Sequence, residues 1–506
     1  MKRQHEGWFT RIVRSWLKKR TVWWPVEPDD IAKCNSVEDV VAAVLEARRT
    51  GRVLRVCGAQ HSMKRAVFDP LTRRAVTRMK LEGSLQRIER LGPGVYRVGA
   101  GCNFGVDALD PTSSEENSFT RVADRDGYAL PLLGGMSAQT VGGFMSTASS
   151  GGSTRHGIAD CLESFDIVDG HGDVRTLVKG TDEFDAAGVS MGLFGIITHA
   201  TFKLEPRYLV GGTEQTVPFD QSLVRDGASF REKSDGNEYV HALWFPNRGV
   251  ENVLEFVGNR NADYHAVEPY SHPLHTELLN AASALGLYLV NRALMKGQHR
   301  VVRFLLSILN PLDEVPRRFN DHWWRVLPND DLAAIATWVR VQFTEIWIDL
   351  ADADAVFAAL RELFSNDPVA CGSFGIEVYA AKRSPFWMSM AYGHDVIRVD
   401  PYWLEYNGHG TLEDFFGRLW QVLLSRFPSA RLHWGKHLPA AGTTFGVEAG
   451  TRRTIGADYC QKTFPKFDEW LEMRARFDPD QIFLTEYWRS MFSIERVDQA
   501  PGQAAV

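Results

Sequence analysis

The stretch formed by residues 130–157 constrains the fold of this chain most, because it is rich in glycine, serine and threonine and carries no charge before Arg155. Glycine permits positive φ and close approach of a ligand to the backbone. Free backbone N–H groups and hydroxyls can then bind phosphate without a lysine. The apolar residues in the stretch are unlike a flexible linker, which remains the alternative interpretation. The pattern therefore predicts a loop that cradles a diphosphate cofactor. Its glycine pairs are Gly134–Gly135, Gly142–Gly143 and Gly151–Gly152.

Bulk properties of the chain narrow the class of protein. A length of 506 residues exceeds one hydrophobic core and predicts two or three domains. The formal net charge of −6 does not favour binding to nucleic acid, whose phosphates are also negatively charged. The six cysteines form no CxxC pair, which argues against a disulfide framework or a zinc ribbon and favours the reducing cytoplasm. There is no HExxH motif or close His/Cys cluster, so we expect no metal site.

The first 24 residues combine basic side chains with apolar residues that fall on one face of a helix. They contain no continuous apolar run of the kind that a secretory signal needs. Such a basic amphipathic helix either lies on an anionic membrane surface or docks on its own domain. The sequence therefore leaves a peripheral membrane contact open.

Local patterns predict several elements of the first domain. Ser36 and Asp39 resemble a capping box that opens a helix ending at Gly51. A buried strand over residues 53–57 then leads into a glycine-bearing turn that holds His61. Residues 164–170 and 173–177 predict a hairpin. The GAGCNFG run at residues 99–105 is one residue too long for the dinucleotide fingerprint and lies in no compact βαβ unit, so a Rossmann fold is rejected.

Four of these stretches, taken in order, resemble a known family. They are the strand followed by GAQHS, the glycine-rich stretch, residues 156–174, and the strand over residues 192–206. Together they resemble the PCMH-type FAD-binding domain of the vanillyl-alcohol oxidase superfamily, and most closely its aldonolactone oxidase and alditol oxidase branch, which includes D-arabinono-1,4-lactone oxidase. Residues 239–246, 343–347, 376–379 with 387–389, 433–436, and 477–483 resemble motifs of the same branch. The resemblance covers roughly residues 25–490.

The resemblance implies an α+β fold with a two-subdomain FAD-binding domain and a cap whose antiparallel sheet is flanked by helices. Residues 25–208 would bind FAD, residues 209–430 would form the cap, and residues 431–490 would return to the FAD domain. Residues 491–506 resemble a disordered tail. The segment 275–325 contains two apolar runs, at residues 278–291 and 301–309, and neither reaches the roughly 20 residues needed to span a bilayer. We expect two buried helices there, with a monotopic membrane contact or an oligomer surface as the alternative.

The resemblance also assigns catalytic roles. Oxidation of a CH–OH group to a carbonyl requires loss of the hydroxyl proton and transfer of a hydride to flavin N5. Glu377 would hold or deprotonate the substrate hydroxyl, and Lys436 would stabilise negative charge on the reduced flavin. Thr140 would place a hydroxyl beside the flavin. Tyr379 replaces an arginine that would bind substrate oxygens bidentately, which leaves open a substrate other than a simple aldonolactone.

The cofactor implied is FAD, attached through His61, which matches the histidine that carries flavin covalently in many members of the family. Gly142 and Gly143 would leave one side of the flavin ring open to oxygen. The residues expected at the cofactor are Cys57, Gly58, Ala59, Gln60, His61, Ser62, Met63, Gly134, Gly135, Met136, Ser137, Thr140, Val141, Gly142, Gly143, Ser146, Thr147, Ser149, Ser150, Gly151, Gly152, His156, Gly195, Ile196, Ile197, His433 and Lys436.

The predicted function is oxidation of a sugar lactone, an alditol or a related polyol, with O2 reoxidising the flavin and yielding H2O2. One alternative is a dehydrogenase of the same fold that passes electrons to a quinone-type acceptor at a membrane. The other alternative is a flavoprotein without catalytic activity, against which the presence of His61, Glu377 and Lys436 argues.

Overall fold

The computed structural model describes residues 31–68, 75–107, 110, 112–247, 249–270, 285–286, 288–290, 292–294, 296–328, 341–372, 375–404, 411–446 and 452–497. The predicted amphipathic segment 1–24, part of the apolar segment 275–325 and the end of the predicted tail lie outside these ranges. No helix in the described ranges is both long enough and apolar enough to cross a membrane.

The described residues form the following elements. The strands are β1 (Ile31–Cys34), β2 (Val53–Val56), β3 (Val76–Leu81), β4 (Ile88–Gly92), β5 (Val95–Gly99), β6 (Tyr128–Ala129), β7 (Leu162–Val168), β8 (Val174–Val178), β9 (Ile196–Lys203), β10 (Glu205–Pro206), β11 (Leu209–Pro218), β12 (Tyr239–Phe245), β13 (Asn252–Asn261), β14 (Arg317–His322), β15 (Val341–Phe343), β16 (Ile346–Asp349), β17 (Ile376–Ala381), β18 (Val396–Leu404), β19 (Arg431–Leu432), β20 (Thr444–Gly446) and β21 (Arg452–Thr454). The helices are α1 (Val37–Thr50), α2 (Lys64–Val67), α3 (Phe119–Arg125), α4 (Val141–Ser146), α5 (Ile158–Cys161), α6 (Asp182–Ala187), α7 (Phe219–Ser222), α8 (Phe230–Gly236), α9 (His299–Leu309), α10 (Trp323–Val326), α11 (Ala353–Asn366), α12 (Leu412–Arg426), α13 (Ala457–Thr463), α14 (Phe467–Phe477) and α15 (Glu486–Phe492).

Two sheets make up the first part of the chain. Strands β1, β3 and β2 form a parallel sheet in that order, and β4, β5, β9, β7 and β8 form an antiparallel one. The β7–β8 pair confirms the predicted hairpin. Helix α1 also follows the prediction: Ser36 Oγ accepts from the Asp39 N–H at 3.2 Å, and Gly51 ends the helix at φ 67°. The Asp39 carboxylate caps the Asn35 N–H instead of completing a capping box.

The glycine-rich stretch is not a loop throughout. Residues 141–146 form α4, so the loop expectation is wrong over this turn and a half. The helix forms because the Thr140 hydroxyl accepts the Gly143 N–H at 3.3 Å and because Val141, Phe144 and Met145 are buried. The two flanking segments of the stretch stay irregular, and each contacts a different part of the molecule.

The second part of the chain is built on a nine-stranded sheet. Its order is β14-β11-β13-β12-β17-β18-β16-β19, with β15 also pairing with β18, and the pairs are antiparallel. One face packs on α11, where Trp244 lies 5.6 Å from Phe364 between ring centroids. Cross-strand pairing aligns Leu254, Leu243, Glu377 and Asp400 in one row on the other face. This antiparallel cap sheet, together with the flanking helices, agrees with the predicted α+β fold.

The C-terminal residues pack back on the first part of the chain. The Leu54 N–H of β2 donates to the Ile482 carbonyl at 2.7 Å, and the Trp488 indole donates to the Ala66 carbonyl at 2.8 Å. These contacts place the segment from Ile482 to Trp488 beside the turn that holds His61.

Candidate active site

A cavity lies where the turn after β2, the glycine-rich stretch and the C-terminal residues meet. Many residues predicted at the cofactor line it, which brings together parts of the chain that are far apart in sequence. The predicted residues that line the cavity are Cys57, Gly58, Ala59, Gln60, His61, Ser62, Thr140, Gly142, Gly143, Ser146, Thr147, Gly195, Ile196 and Ile197.

The two glycine-bearing turns interlock tightly at this cavity. A Cβ added to Gly58 would come within 2.2 Å of Thr140 Oγ1, so only glycine fits there. Gln60 adopts φ 62°, a strained conformation for a residue with a side chain. The Thr140 hydroxyl therefore packs on the His61 turn while it caps α4, and Thr140 lines the cavity. Its place beside the flavin stays a prediction.

The buried Arg55 guanidinium holds three chain segments around the cavity. It donates to the carbonyls of Ala66 at 3.1 Å, Met191 at 2.8 Å and Phe483 at 3.0 Å. Burial lowers the pKa of this arginine to about 10. Because its donors point at carbonyl oxygens, Arg55 acts as a clamp between segments.

His61 provides a test of whether the cavity suits FAD. Its Nε2 atom is buried, and no hydrogen-bond partner for it occurs within the described ranges. Burial, and secondarily the nearby Lys436 charge, lowers the pKa of His61 to about 4, so the ring is neutral at neutral pH. A neutral imidazole with an unused ring nitrogen in the cavity fits a group that bonds to it. The glycine turns and hydroxyls around it fit a diphosphate.

The end of the glycine-rich stretch contacts the cap sheet. The Gly152 carbonyl accepts the Val240 N–H at 2.9 Å, and a Cβ on Gly152 would come within 2.4 Å of the Val240 carbonyl oxygen. Arg398 of β18 donates to the Ser150 carbonyl at 2.5 Å. The stretch thus joins the cofactor cavity at one end to the face of the cap sheet that carries Glu377 at the other.

Glu377 lies half-buried on β17 and accepts hydrogen bonds from two tyrosines. The Tyr379 hydroxyl donates to Glu377 Oε2 at 3.0 Å, and Tyr402 of β18 also donates to the carboxylate. Burial raises the pKa of Glu377, while the tyrosine hydroxyls and the nearby cations oppose that rise. Burial also raises the pKa values of Tyr379 and Tyr402, so both phenols remain donors. This arrangement suits a carboxylate that accepts a proton.

Lys436 reaches the same region from the turn after β19. The Gly435 carbonyl of that turn accepts the Met63 N–H at 2.8 Å, which docks the turn against the residues after His61. The Lys436 Nζ lies 3.4 Å from the centroid of the Phe343 ring, and no carboxylate within the described ranges lies within ion-pairing distance. Burial lowers the pKa of Lys436, and Glu345 and Asp400 oppose that effect.

A buried charge cluster that the sequence analysis did not select lies beside these residues. Arg398 donates Nε–H to Glu345 Oε1 at 2.8 Å and contacts Asp400 at 3.4 Å. The Trp347 indole donates to the same Glu345 oxygen at 2.6 Å. Burial alone would raise the pKa of Glu345, but Arg398 and the other nearby cations hold it at about 2. Burial and the Glu345 charge raise the pKa of Asp400 well above its usual range.

Arg398 lies beside Tyr379, the residue that stands where the family pattern has an arginine. The two residues are cross-strand partners, and the guanidinium lies 4.8 Å from the Tyr379 ring centroid. An arginine is therefore present beside the position that lacks one. It contacts Glu345, Asp400 and the Ser150 carbonyl, so its hydrogen-bonding groups are directed into the protein.

Other predicted residues lie away from the cavity lining. His156 contacts Glu238 through Nε2 at 2.9 Å and packs near Tyr239, so it connects the glycine-rich stretch to β12. His433 accepts the Gly435 N–H at 3.1 Å, and burial lowers its pKa to about 4. Their roles at a cofactor stay predictions. The remaining predicted residues outside the lining are Met63, Gly134, Gly135, Met136, Ser137, Val141, Ser149, Ser150, Gly151, Gly152 and Lys436.

Sequence reasoning missed several residues of the cavity. Ala100 and Gly101 line the cavity and belong to the GAGCNFG run, whose glycines were a usable signal even though the run is no dinucleotide fingerprint. Trp434 and Phe483 lay within motifs that carried the resemblance, which was a usable signal. Arg55 and Trp488 carried no local signal, because only the folded chain brings them to the cavity.

Comparison with known proteins is consistent with this geometry. A family model described as D-arabinono-1,4-lactone oxidase matches residues 200–491, and one described as FAD binding domain matches residues 28–177. A D-arabinono-1,4-lactone oxidase of Yarrowia lipolytica is 28% identical over 42% of this chain, and the match spans only 38% of that relative. An L-gulono-1,4-lactone dehydrogenase of Mycobacterium tuberculosis is 23% identical over 92% of this chain and 98% of the relative.

Solved structures agree on the fold. A cholesterol oxidase of Brevibacterium sterolicum superposes with a TM-score of 0.67 at 13% identity, over 91% of this chain and 94% of that one. A solvent-stable cholesterol oxidase gives a TM-score of 0.63 at 14% identity. These matches confirm the predicted arrangement of an FAD-binding domain with a cap.

Proposed function

Because the chain belongs to the D-arabinono-1,4-lactone oxidase family, we propose that it is an FAD-dependent oxidoreductase that oxidises a CH–OH group of a sugar lactone, an alditol or a related polyol. The family match confirms the resemblance predicted from the sequence, and the FAD-binding-domain match confirms the cofactor. The observation that carries the proposal is the position of Lys436: its turn hydrogen-bonds through the Gly435 carbonyl to Met63, two residues after His61, and its charge acts on both His61 and Glu377.

The residues of the site have separable tasks. FAD, when bound, supplies the acceptor for the hydride that leaves the substrate carbon. Glu377 Oε accepts the hydroxyl proton, so that the CH–OH group becomes a carbonyl. Tyr379 and Tyr402 hold the carboxylate in position and offset part of the cost of its burial. The Lys436 ammonium supplies positive charge where negative charge develops.

The side chains at the cap sheet indicate which kind of substrate the site binds. Tyr379 offers one hydroxyl where an arginine would offer a bidentate fork, and that hydroxyl already donates to Glu377. A Cβ on Gly135 would meet only the Tyr379 hydroxyl, at 3.7 Å, so there is open space beside it. We therefore assign the site to a polyol that is held by hydroxyl hydrogen bonds rather than by a charged clamp.

Covalent attachment of FAD to His61 belongs to the same proposal. The buried Nε2, which has no hydrogen-bond partner among the described residues, and the low pKa of the ring support it, because a neutral imidazole can form a bond to the cofactor. Gly143 supports access of oxygen, because a Cβ there would meet only the Thr140 hydroxyl, at 3.0 Å. O2 is accordingly the proposed electron acceptor, with H2O2 as product.

A dehydrogenase is the second candidate. The relative that aligns over nearly its whole length with this chain is named a dehydrogenase. In that case a quinone-type acceptor would replace oxygen while the oxidation of the substrate stayed the same.

The experiment uses the purified, flavin-loaded chain under anaerobic conditions. D-arabinono-1,4-lactone, L-gulono-1,4-lactone and sorbitol are each added, and bleaching of the flavin absorbance is followed. We expect bleaching with at least one of them, and a flavin that none of the three reduces would contradict the proposal. Peroxide yield under air, compared with the rate of reduction of a dye, then separates the oxidase from the dehydrogenase.

A further inference from the structure

The region around α9 exposes an unusual amount of apolar surface. Thirteen large hydrophobic side chains are exposed among the described residues, and six of them fall between residues 289 and 315. Phe304 is 63% exposed and Ile308 is 61% exposed. The six are Leu289, Val301, Phe304, Ile308, Leu312 and Val315, and we call the three on α9, Val301, Phe304 and Ile308, the apolar face.

Helix α9 presents apolar residues on two sides. Val302 and Leu306 are buried against the cap, whereas Val301, Phe304 and Ile308 lie together on a different side of the helix at helical spacing. A helix that only packs on its own domain needs one apolar side. The second one indicates a partner.

The charge around this surface identifies the partner. Residues 289–315 contain four cations, Arg292, Lys296, Arg300 and Arg303, and two acids, Asp313 and Glu314, although the whole chain has a net charge of −6. All four cationic residues are exposed. Both acids follow the C-terminal end of α9, where Asp313 contacts Arg317 at 3.8 Å and Glu314 is exposed. Exposed apolar side chains beside a cluster of cations fit the headgroup region of an anionic bilayer.

The position of α9 connects this surface to the site. Val302 and Leu306 share an apolar cluster with Leu243 and Phe245 of β12. Leu243 is the cross-strand partner of Glu377. Helix α9 therefore packs on β12, the strand next to the one that carries Glu377, and its exposed side faces away from the sheet.

We infer that the apolar face docks on a membrane containing anionic phospholipid, with the apolar side chains entering the headgroup region and the neighbouring cations contacting lipid phosphates. Docking there orients the cap, one strand from Glu377, toward the lipid surface. The inference goes beyond the proposed function, because vesicle binding requires no turnover and can be measured whether or not a lactone is oxidised.

The test is vesicle flotation of the full flavin-loaded chain. Vesicles of phosphatidylcholine alone are compared with vesicles that also contain phosphatidylglycerol. The full chain should bind the anionic vesicles, and added salt should weaken that binding. The double variant F304S/I308S should bind at least tenfold more weakly, and so should K296E/R300E, which changes only exposed charges. V174S/V178S, which alters two exposed valines of β8, should bind like the unchanged chain.

The outcomes separate the alternatives. Flavin absorbance of each variant reports whether the fold is retained, and K296E/R300E keeps the test valid if the serine variant fails to fold. Absence of binding to anionic vesicles would overturn the inference. Equal binding by F304S/I308S and the unchanged chain would also overturn it, because another segment would then carry the contact. A dimer in light scattering that F304S/I308S dissociates, without any vesicle binding, would show that a second copy covers the face.

Discussion

Replacement of Tyr379 by Phe tests the proposed base directly, because it removes a hydrogen bond to Glu377 and keeps the aromatic ring. That bond is 3.0 Å long and ends on a carboxylate. A hydrogen bond to a charged group contributes about 1.5–3 kcal/mol, and one pKa unit corresponds to about 1.36 kcal/mol. Loss of the Tyr379 hydroxyl should therefore raise the pKa of Glu377 by about 1–2 units beyond the rise that burial already causes.

The direction of the pH dependence follows from the role of the Glu377 carboxylate. Glu377 accepts a proton only when it is ionised, so substrate oxidation slows as the pH falls through its pKa. This fall in rate is the acid limb of the pH–rate profile, and Tyr379→Phe should move it to higher pH by about 1–2 units. Glu377→Gln should remove the limb and slow flavin reduction by about 10²–10⁴-fold. The measurement is anaerobic stopped-flow reduction over a range of pH.

The matched control is Tyr96→Phe. It also removes a tyrosine–carboxylate bond, that of Tyr96 with Asp126 at 2.7 Å, but within the first part of the chain. Its acid limb should coincide with that of the unchanged enzyme. An unmoved limb in Tyr379→Phe, together with undiminished reduction in Glu377→Gln, would refute the assignment of Glu377 as the base.

Three further changes test the other parts of the site. The flavin should stay with acid-precipitated protein and be released by His61→Ala; a wild-type pellet that loses all its flavin would show that no covalent bond forms. Lys436→Met removes the ammonium that lies over Phe343, so it should slow reduction, lower the flavin potential and weaken sulfite binding; an unchanged sulfite titration would contradict this role. Arg398→Met should destabilise the fold by about 3–5 kcal/mol because it leaves the buried Glu345 carboxylate unpaired, measured as the temperature of flavin release, and Arg398→Met with Glu345→Gln should recover part of the loss. With Arg398 present, the pKa of Glu345 in the folded state lies below its usual value, so its stabilisation is present above about pH 4.5 and is lost as the pH falls toward about 2.

Local signals in the sequence determined the elements that short segments specify by themselves. Helix α1 (Val37–Thr50) is capped by Ser36 and Gly51, the residues predicted to bound it, because caps act within a few residues. The β7–β8 hairpin follows from alternation around a glycine turn. The glycine-rich stretch was recognised by composition, but composition did not reveal α4, whose formation depends on a cap and three buried side chains.

The contacts that make the site depend on the tertiary structure. Arg398 reaches the Ser150 carbonyl across 248 positions of sequence and lies beside Tyr379 because β17 and β18 pair in one register. The register between β17 and β18 depends on which face of the sheet is buried, and a shift of one residue would turn Arg398 to the opposite face. The sequence could thus supply Glu377, Lys436 and His61 as candidates. Only the folded chain shows which charges and hydroxyls surround them, because strand pairing and the turn after β19 bring those neighbours together.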